Sequence, residues 1–286
     1  MNEFKDKVAV ITGAASGIGK AIAEKFGLEG MKIVLTDIEK EAVFQTEKEL
    51  IKLGIDVKVV IADVSKIDDV RALAQKTLEY YGVVHILVNN AGVGFAGKCS
   101  TTLWESSLSE WQWILSVNLW GVINGIHVFV PIMLQQNFQS YIINTSSIAG
   151  LINPQPGAGI YSITKHAVLA LSESLQADLA LVDNKIRILA LCPGFIKTKI
   201  TESERNRPDA NDDNQKLINP RLDTIKKMYN QIIYNGISPK IVAEKVFLAL
   251  NEERFYIPTD SHSFIRTHVR NRFNKILQDF KEKKVK

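Results

Sequence analysis

Val8-Ala9-Val10-Ile11-Thr12-Gly13-Ala14-Ala15-Ser16-Gly17-Ile18-Gly19 decides how this chain is read: a short apolar run, a turn of small residues, and the opening of an amphipathic stretch. The run has the length and β-branched content of a strand covered on both faces. Beyond the turn, Ile18, Ala21, Ile22, Phe26 and Leu28 recur at helical spacing and give one apolar side. The alternation continues outward, with strands expected at 32–36, 57–61, 86–89, 141–145 and 186–191. Helices are expected between them at 41–53, 68–81, 110–136 and 161–182. Strand–helix alternation implies right-handed βαβ units. The expected fold is therefore α/β, a Rossmann-like doubly wound parallel sheet with helices on both faces, as a single domain over 1–286.

Composition narrows the classes. Lys and Arg number 35 against 31 Asp and Glu, and a net charge of +4 is too mild to argue for a nucleic-acid partner. Cys99 and Cys192 form no metal or disulfide pattern, so they read as reduced thiols of a cytoplasmic protein. The opening residues carry no signal-type apolar stretch before the first strand. Residues 111–164 contain no charged side chain, yet Asn118, Asn124, His127, Pro131 and Asn137 interrupt them. That stretch reads as the buried centre of a soluble fold, without an integral membrane segment. After Pro193-Gly194 the polar residues 201–219 cannot form core and read as a mobile loop or a lid, within a substrate-lid insertion at 200–235. Helical patterning resumes at 222–233 and 239–250, followed by a short strand at 255–257. A helical extension at 262–286 ends the chain; its helix, 263–286, is basic and amphipathic, with the basic face read as solvated.

Three features carry chemistry. The turn holding Gly13, Ser16, Gly17, Ile18 and Gly19 lets the backbone approach a pyrophosphate at a helix N-terminus, although its first glycine gap is wider than in GxGxxG. Asp37 closes the second strand where an adenosine ribose would lie. A carboxylate there accepts from both ribose hydroxyls and repels a 2′-phosphate, and no Arg or Lys occupies Ala15, Ser16 or Ile38. NAD is expected over NADP, and the plainer reading is that Asp37 caps the next helix. Tyr161 and Lys165 stand at i and i+4 on one helix face. An ammonium beside a phenol favours the phenolate and moves it towards a useful range.

Together with Asp63-Val64, Asn89-Asn90-Ala91-Gly92, Asn118, Ser147 and the run from Pro193 to Thr198, these features resemble the short-chain dehydrogenases/reductases, in family order from about Lys7 to Thr198. The resemblance implies an oxidoreductase in which Tyr161 is the general acid/base and Ser147 polarises the substrate oxygen. Lys165 would lower the Tyr pKa and hold the nicotinamide ribose, and Asn118 would hold a water that extends the proton path. Ser147 is taken over Ser146 because Ser147-Ile148-Ala149-Gly150 matches the family pattern, in a loop to Tyr161 one residue longer than usual. Asp63 and Val64 are expected at the adenine, Asn90 and Gly92 on the adenosine side, and Pro193, Gly194, Ile196 and Thr198 near the nicotinamide.

The expected substrate is a small hydrophobic secondary alcohol or ketone, bounded by residues 95–107 and the lid. Competing readings are a cofactor-binding sensor or scaffold without turnover and an isomerase or dehydratase on the same fold. Trp104, Trp111, Trp113 and Trp120 are expected to cluster as packing around one helix start. A homo-oligomer, tetramer or dimer, is expected because the two long charge-poor helices carry more apolar surface than one sheet needs.

Overall fold

The computed structural model describes residues 4–94, 102–182, 185–208, 220–252, 254–259 and 263–280. Seven parallel strands form one sheet in the order β3-β2-β1-β4-β5-β6-β7. They are β1 (Val8–Thr12), β2 (Lys32–Asp37), β3 (Val57–Ile61), β4 (Ile86–Asn89), β5 (Ser140–Thr145), β6 (Ile186–Cys192) and β7 (Tyr256–Pro258). The main helices are α1 (Gly17–Leu28), α2 (Lys40–Lys52), α3 (Ile67–Tyr81), α4 (Leu108–Leu115), α5 (Gly121–Gln136), α6 (Gly159–Leu179), α7 (Pro220–Tyr234), α8 (Pro239–Asn251) and α9 (Ser263–Asp279).

Period-two alternation divides the core into two layers. In β1, Ala9 and Ile11 join Ile22, Phe26, Leu50 and Val246 on the α1/α2/α8 face. Val10 joins Leu73, Phe129, Met133 and Leu175 on the α3/α5/α6 face. Every β1 position is buried, as its uninterrupted apolar run requires. The strand order runs outward in both directions from β1 and β4, so the switch point lies between those strands, at the carboxyl ends that bear the glycine turn.

The structure corrects two boundaries. The expected helix at 110–136 is present as one helical stretch, Leu108–Gln136, with a π-turn at Ser116–Trp120 between α4 and α5. The turn holds Asn118 fully buried against Val93, just past the central strand β4, an inserted residue that apolar periodicity cannot register. The Leu108–Gln136 stretch is the one helical segment among the described residues long and apolar enough to cross a membrane, and 44% of its most apolar window is buried. The last helix ends at Asp279, and residues 281–286 lie outside the described residues. Residues 95–101 with Cys99, and 209–219 of the expected lid, also lie outside them.

The four tryptophans do not form one cluster. Trp113 is buried with Val93, Ile114 and Ile160, and Trp111 packs against them. Trp104 is 83% exposed and Trp120 is 56% exposed. Sequence proximity misleads here because α4, the π-turn and α5 rotate neighbouring side chains onto different sides.

Candidate active site

A cleft of about 270 Å³ runs along the carboxyl ends of the strands, from Asp37 beyond β2 to Tyr229 and Ile233 of α7. At one end the turn after β1 uses Gly13 (φ 64°) and Gly17 (φ 56°), a left-handed conformation that glycine alone adopts freely. A Cβ on Gly17 would come within 3.0 Å of Thr198 Cγ2, so the turn also lets the opposite wall close on it. Ser16 stands at the N-cap of α1 without a side-chain cap bond, and the first turn holds no acidic residue. The free N–H groups and the positive dipole end of α1 are therefore available to an anion. Gly19 does not line the cleft: a Cβ there would fall 2.2 Å from Gly13 O, so this glycine permits the turn to fold onto α1.

Asp37 ties these parts together. Its Oδ2 accepts from Ala15 N at 2.9 Å and its Oδ1 from Glu39 N at 3.0 Å. The carboxylate thus braces the glycine turn and the loop into α2; the N-cap of α2 is Glu39. Burial raises the Asp37 pKa, against the lowering effect of those backbone donors. Asn90 donates through Nδ2 to Thr12 O at 3.0 Å and Gly13 O at 3.3 Å, holding the turn from the β4 side.

At the other end, Ser147, Tyr161 and Lys165 share one wall with Pro193, Gly194, Ile196 and Thr198. Lys165 is 4% exposed, and its Nζ donates to Thr145 O at 2.9 Å and lies 5.5 Å from the Tyr161 ring centroid. Burial lowers its pKa to about 8. Burial also raises the Tyr161 pKa, with a Ser147 hydrogen bond pulling the other way. Desolvation thus governs the phenol here, and what opposes it is the Ser147 hydrogen bond. The two serines separate by their partners. Ser146 Oγ donates to Lys165 O at 2.6 Å, whereas Ser147 Oγ accepts from Ala149 N at 3.1 Å and reaches Tyr161. A hydroxyl, a phenol and an ammonium so arranged can polarise an oxygen and move a proton to or from it.

Asn118 stands behind the wall rather than on it. Its Oδ1 accepts from Val93 N at 2.7 Å, and its Nδ2 donates to Val93 O at 2.9 Å and Thr164 Oγ1 at 3.3 Å. It clamps the segment after β4 to α6, which carries Tyr161 and Lys165. Gly92 sits between, where a Cβ would lie 3.3 Å from Asn118 Oδ1 and 3.6 Å from Lys165 Nζ. Asp63 and Val64 line the cleft beside Ala62.

Several lining residues escaped the sequence reading. Trp113 faces the cleft as well as its core, with Val117, Ile152 and Phe195 nearby. A short 3₁₀ strap, Ile200–Asn206, crosses the opening. Ser203 Oγ accepts from Gly94 N at 3.0 Å beyond β4. At the strap's far end Arg205 and Asn206 bond Glu39 beyond β2. Positions 15, 16 and 38 carry no basic residue, but Arg205 reaches the same end of the cleft by pairing with Glu39 from 166 positions away. No local pattern could have signalled that pair.

Fold and cleft together define a doubly wound α/β protein with an anion-ready turn and a serine–tyrosine–lysine wall in one crevice. A family model for short chain dehydrogenases matches residues 7–209. The chain belongs to the short-chain dehydrogenase family. It is 34% identical to the CLA biosynthesis dehydrogenase/reductase of Lactiplantibacillus plantarum over 98% of this chain and 96% of that protein. It is 37% identical to the cyclohexanol dehydrogenase of an Acinetobacter species, over 70% of this chain and 76% of that one. Among solved structures, a short-chain dehydrogenase/reductase from Burkholderia phymatum in complex with NAD superposes with a TM-score of 0.91 at 42% identity, covering 98% of this chain and 97% of that one.

Proposed function

We propose that this protein is a nicotinamide-dependent oxidoreductase that interconverts a hydrophobic secondary alcohol and its ketone, with NAD preferred to NADP. The observation that carries this reading is the placement of Ser147, Tyr161 and Lys165 in the same cleft as the glycine-rich turn and Asp37. The residues fit a dinucleotide: a cradle that a Cβ at Gly17 would crowd, an uncapped α1 N-terminus, and a carboxylate at the ribose end. When bound, the nicotinamide exchanges a hydride with the substrate carbon. Ser147 donates to the substrate oxygen and Tyr161 transfers the proton. Burial holds the phenol protonated at neutral pH, which suits donation to a ketone oxygen. Lys165 holds ribose hydroxyls and supports the phenol electrostatically, while Asn118 positions the helix that carries both. Trp113, Ile152, Phe195, Tyr229 and Ile233 supply an apolar substrate wall. The NAD preference is supported by Asp37 and by the NAD complex of the Burkholderia phymatum relative.

A panel of hydrophobic secondary alcohols and ketones, followed by nicotinamide absorbance with NAD and NADP in parallel, tests the proposal. Turnover is expected, with kcat/KM higher for NAD by about 10²-fold, the worth of one carboxylate set against a 2′-phosphate. Coenzyme binding without turnover would instead support the sensor reading, and NADP preference would defeat the coenzyme assignment.

The proposal includes a homo-oligomer, tetramer or dimer. The α4–α5 segment carries one charged side chain, Glu110, and leaves Leu108 at 79% and Trp120 at 56% exposure. Such apolar surface is commonly covered across a two-fold axis. Light scattering at micromolar protein is expected to give a multiple of 32.0 kDa, and a mass near 32.0 kDa with and without NAD would exclude it.

A further inference from the structure

Two carboxylates mark the Asp37 end of the cleft, and both are engaged. Asp37 is spent on Ala15 N and Glu39 N. Glu39, two residues on, is joined to the strap: Arg205 Nη2 donates to Glu39 Oε1 at 2.6 Å and Arg205 Nε to Oε2 at 3.3 Å. Asn206 Nδ2 donates to Oε1 at 2.9 Å. The other arm of the guanidinium, Nη1, donates to Glu202 O at 2.9 Å and Lys199 O at 3.3 Å. The fork is therefore engaged on both sides. The Arg205 hydrogen bonds hold the Glu39 carboxyl below the usual carboxylate range, and Lys199 adds to that effect from a distance. Asp37, Glu39, Lys199 and Arg205 all line the same cleft.

A guanidinium is the side chain best matched to a phosphate, which it grips through two parallel N–H bonds. At this rim the fork is turned onto a carboxylate of its own chain. We propose that Glu39 is a second determinant of coenzyme choice, acting by sequestering Arg205 from a 2′-phosphate. The inference rests on the nicotinamide reading above. Under it, Asp37 rejects the 2′-phosphate directly, and Glu39 removes the only fork-shaped cation among the described lining residues that could reward it. Lys199, a point charge, is drawn to the same carboxylate. Removing Glu39 leaves Arg205 with Nε and Nη2 unpaired beside the ribose end. The strap keeps its second attachment, Ser203 to Gly94, so the arginine remains at the rim.

The test is binary binding of NADH and NADPH, two ligands that differ by the 2′-phosphate alone, followed by nicotinamide fluorescence without substrate. Wild-type protein, Glu39→Ala and the double variant Glu39→Ala/Arg205→Ala are compared at one low and one high salt concentration. Glu39→Ala is expected to tighten NADPH about tenfold at low salt while NADH changes less than threefold, and the gain is expected to shrink at high salt. The double variant is expected to lose the gain. Glu39→Gln, which retains one acceptor for Arg205, is expected to give a smaller gain and serves if the alanine variant does not fold. Equal weakening of both ligands would overturn the inference, since Glu39 would then be a latch for the strap. A gain that survives in the double variant would also overturn it, since loss of negative charge alone would explain it. Wild-type protein that binds neither ligand would instead remove the nicotinamide reading, a failure distinct from an unchanged NADH/NADPH ratio in a protein that binds both.

Discussion

Tyr161→Phe is expected to lower turnover by about 10³-fold while the protein stays folded and binds coenzyme within about threefold of wild type. The substitution removes only the hydroxyl. The ring over which Lys165 sits at 5.5 Å is retained, and so is its packing on α6. What disappears is the proton that Ser147 and the substrate oxygen would share. Steady-state rates with a responsive alcohol, coenzyme fluorescence titration and a thermal melt check the three parts separately. Retention of most activity would place proton transfer elsewhere. The adjacent serines give an internal control. Ser147→Ala is expected to follow the same direction in turnover. Ser146→Ala is expected to keep turnover and lose about 1–2 kcal/mol of stability, because Lys165 O loses its 2.6 Å donor.

Lys165→Met is expected to abolish turnover to a similar degree and yet to melt no lower than wild type at pH 7. Burial sets the native Lys165 pKa near 8, against 10.5 for the ordinary group. Between these values the unfolded chain binds more protons than the native one, so this residue makes stability rise as pH increases from about 8 to 10.5. Below about pH 8 the native state bears the whole cost of a buried ammonium, on the order of 3 kcal/mol. Methionine removes the charge at similar length. Against that gain stands Thr145 O, which loses its donor at a cost of about 1 kcal/mol or more. The net expectation is a variant more stable by about 1–2 kcal/mol at pH 7, with the advantage fading towards pH 10.5. Thermal melts of both proteins at pH 7 and pH 10 measure this difference directly. A variant less stable than wild type at pH 7 would show that the Thr145 bond outweighs desolvation. Cys192, whose thiol burial pushes up to about 12 against the lowering charge of Lys165, stays protonated at pH 7 and pH 10 in either protein.

Both predictions trade on the same feature. Lys165 is costly where it lies and is held there by Thr145 and by the Ser146 bond to its own carbonyl. A site that buries an ammonium beside a phenol is built at the expense of the native state, and the surrounding sheet supplies the stability that permits it.

Much of this was legible in the residues themselves. Continuous apolar runs at 8–11 and 86–88, with the small-residue turn after the first, determined the parallel sheet and the place of its crevice, because strand and helix periodicities are local properties of the chain. The i, i+4 spacing put Tyr161 and Lys165 on one helix face for the same reason. Other properties had to await the tertiary structure. The family pattern at Ser147-Ile148-Ala149-Gly150 favours one of two adjacent serines, but their physical difference appears only when α6 offers Ser146 the Lys165 carbonyl and Ser147 the Tyr161 phenol. The Tyr161 pKa is governed by how much protein surrounds the phenol, a quantity absent from any spacing. The π-turn at Ser116–Trp120 coincides with the bonds Asn118 makes to Val93 and Thr164, partners remote in sequence. Glu39 and Arg205 meet because a strap closes across the strand ends, and no pattern along the chain encodes a pair that only folding brings within 2.6 Å. Periodicity is written between neighbours and survives in any context, whereas burial, charge pairing and the direction of a hydroxyl depend on what the rest of the chain brings to the same place.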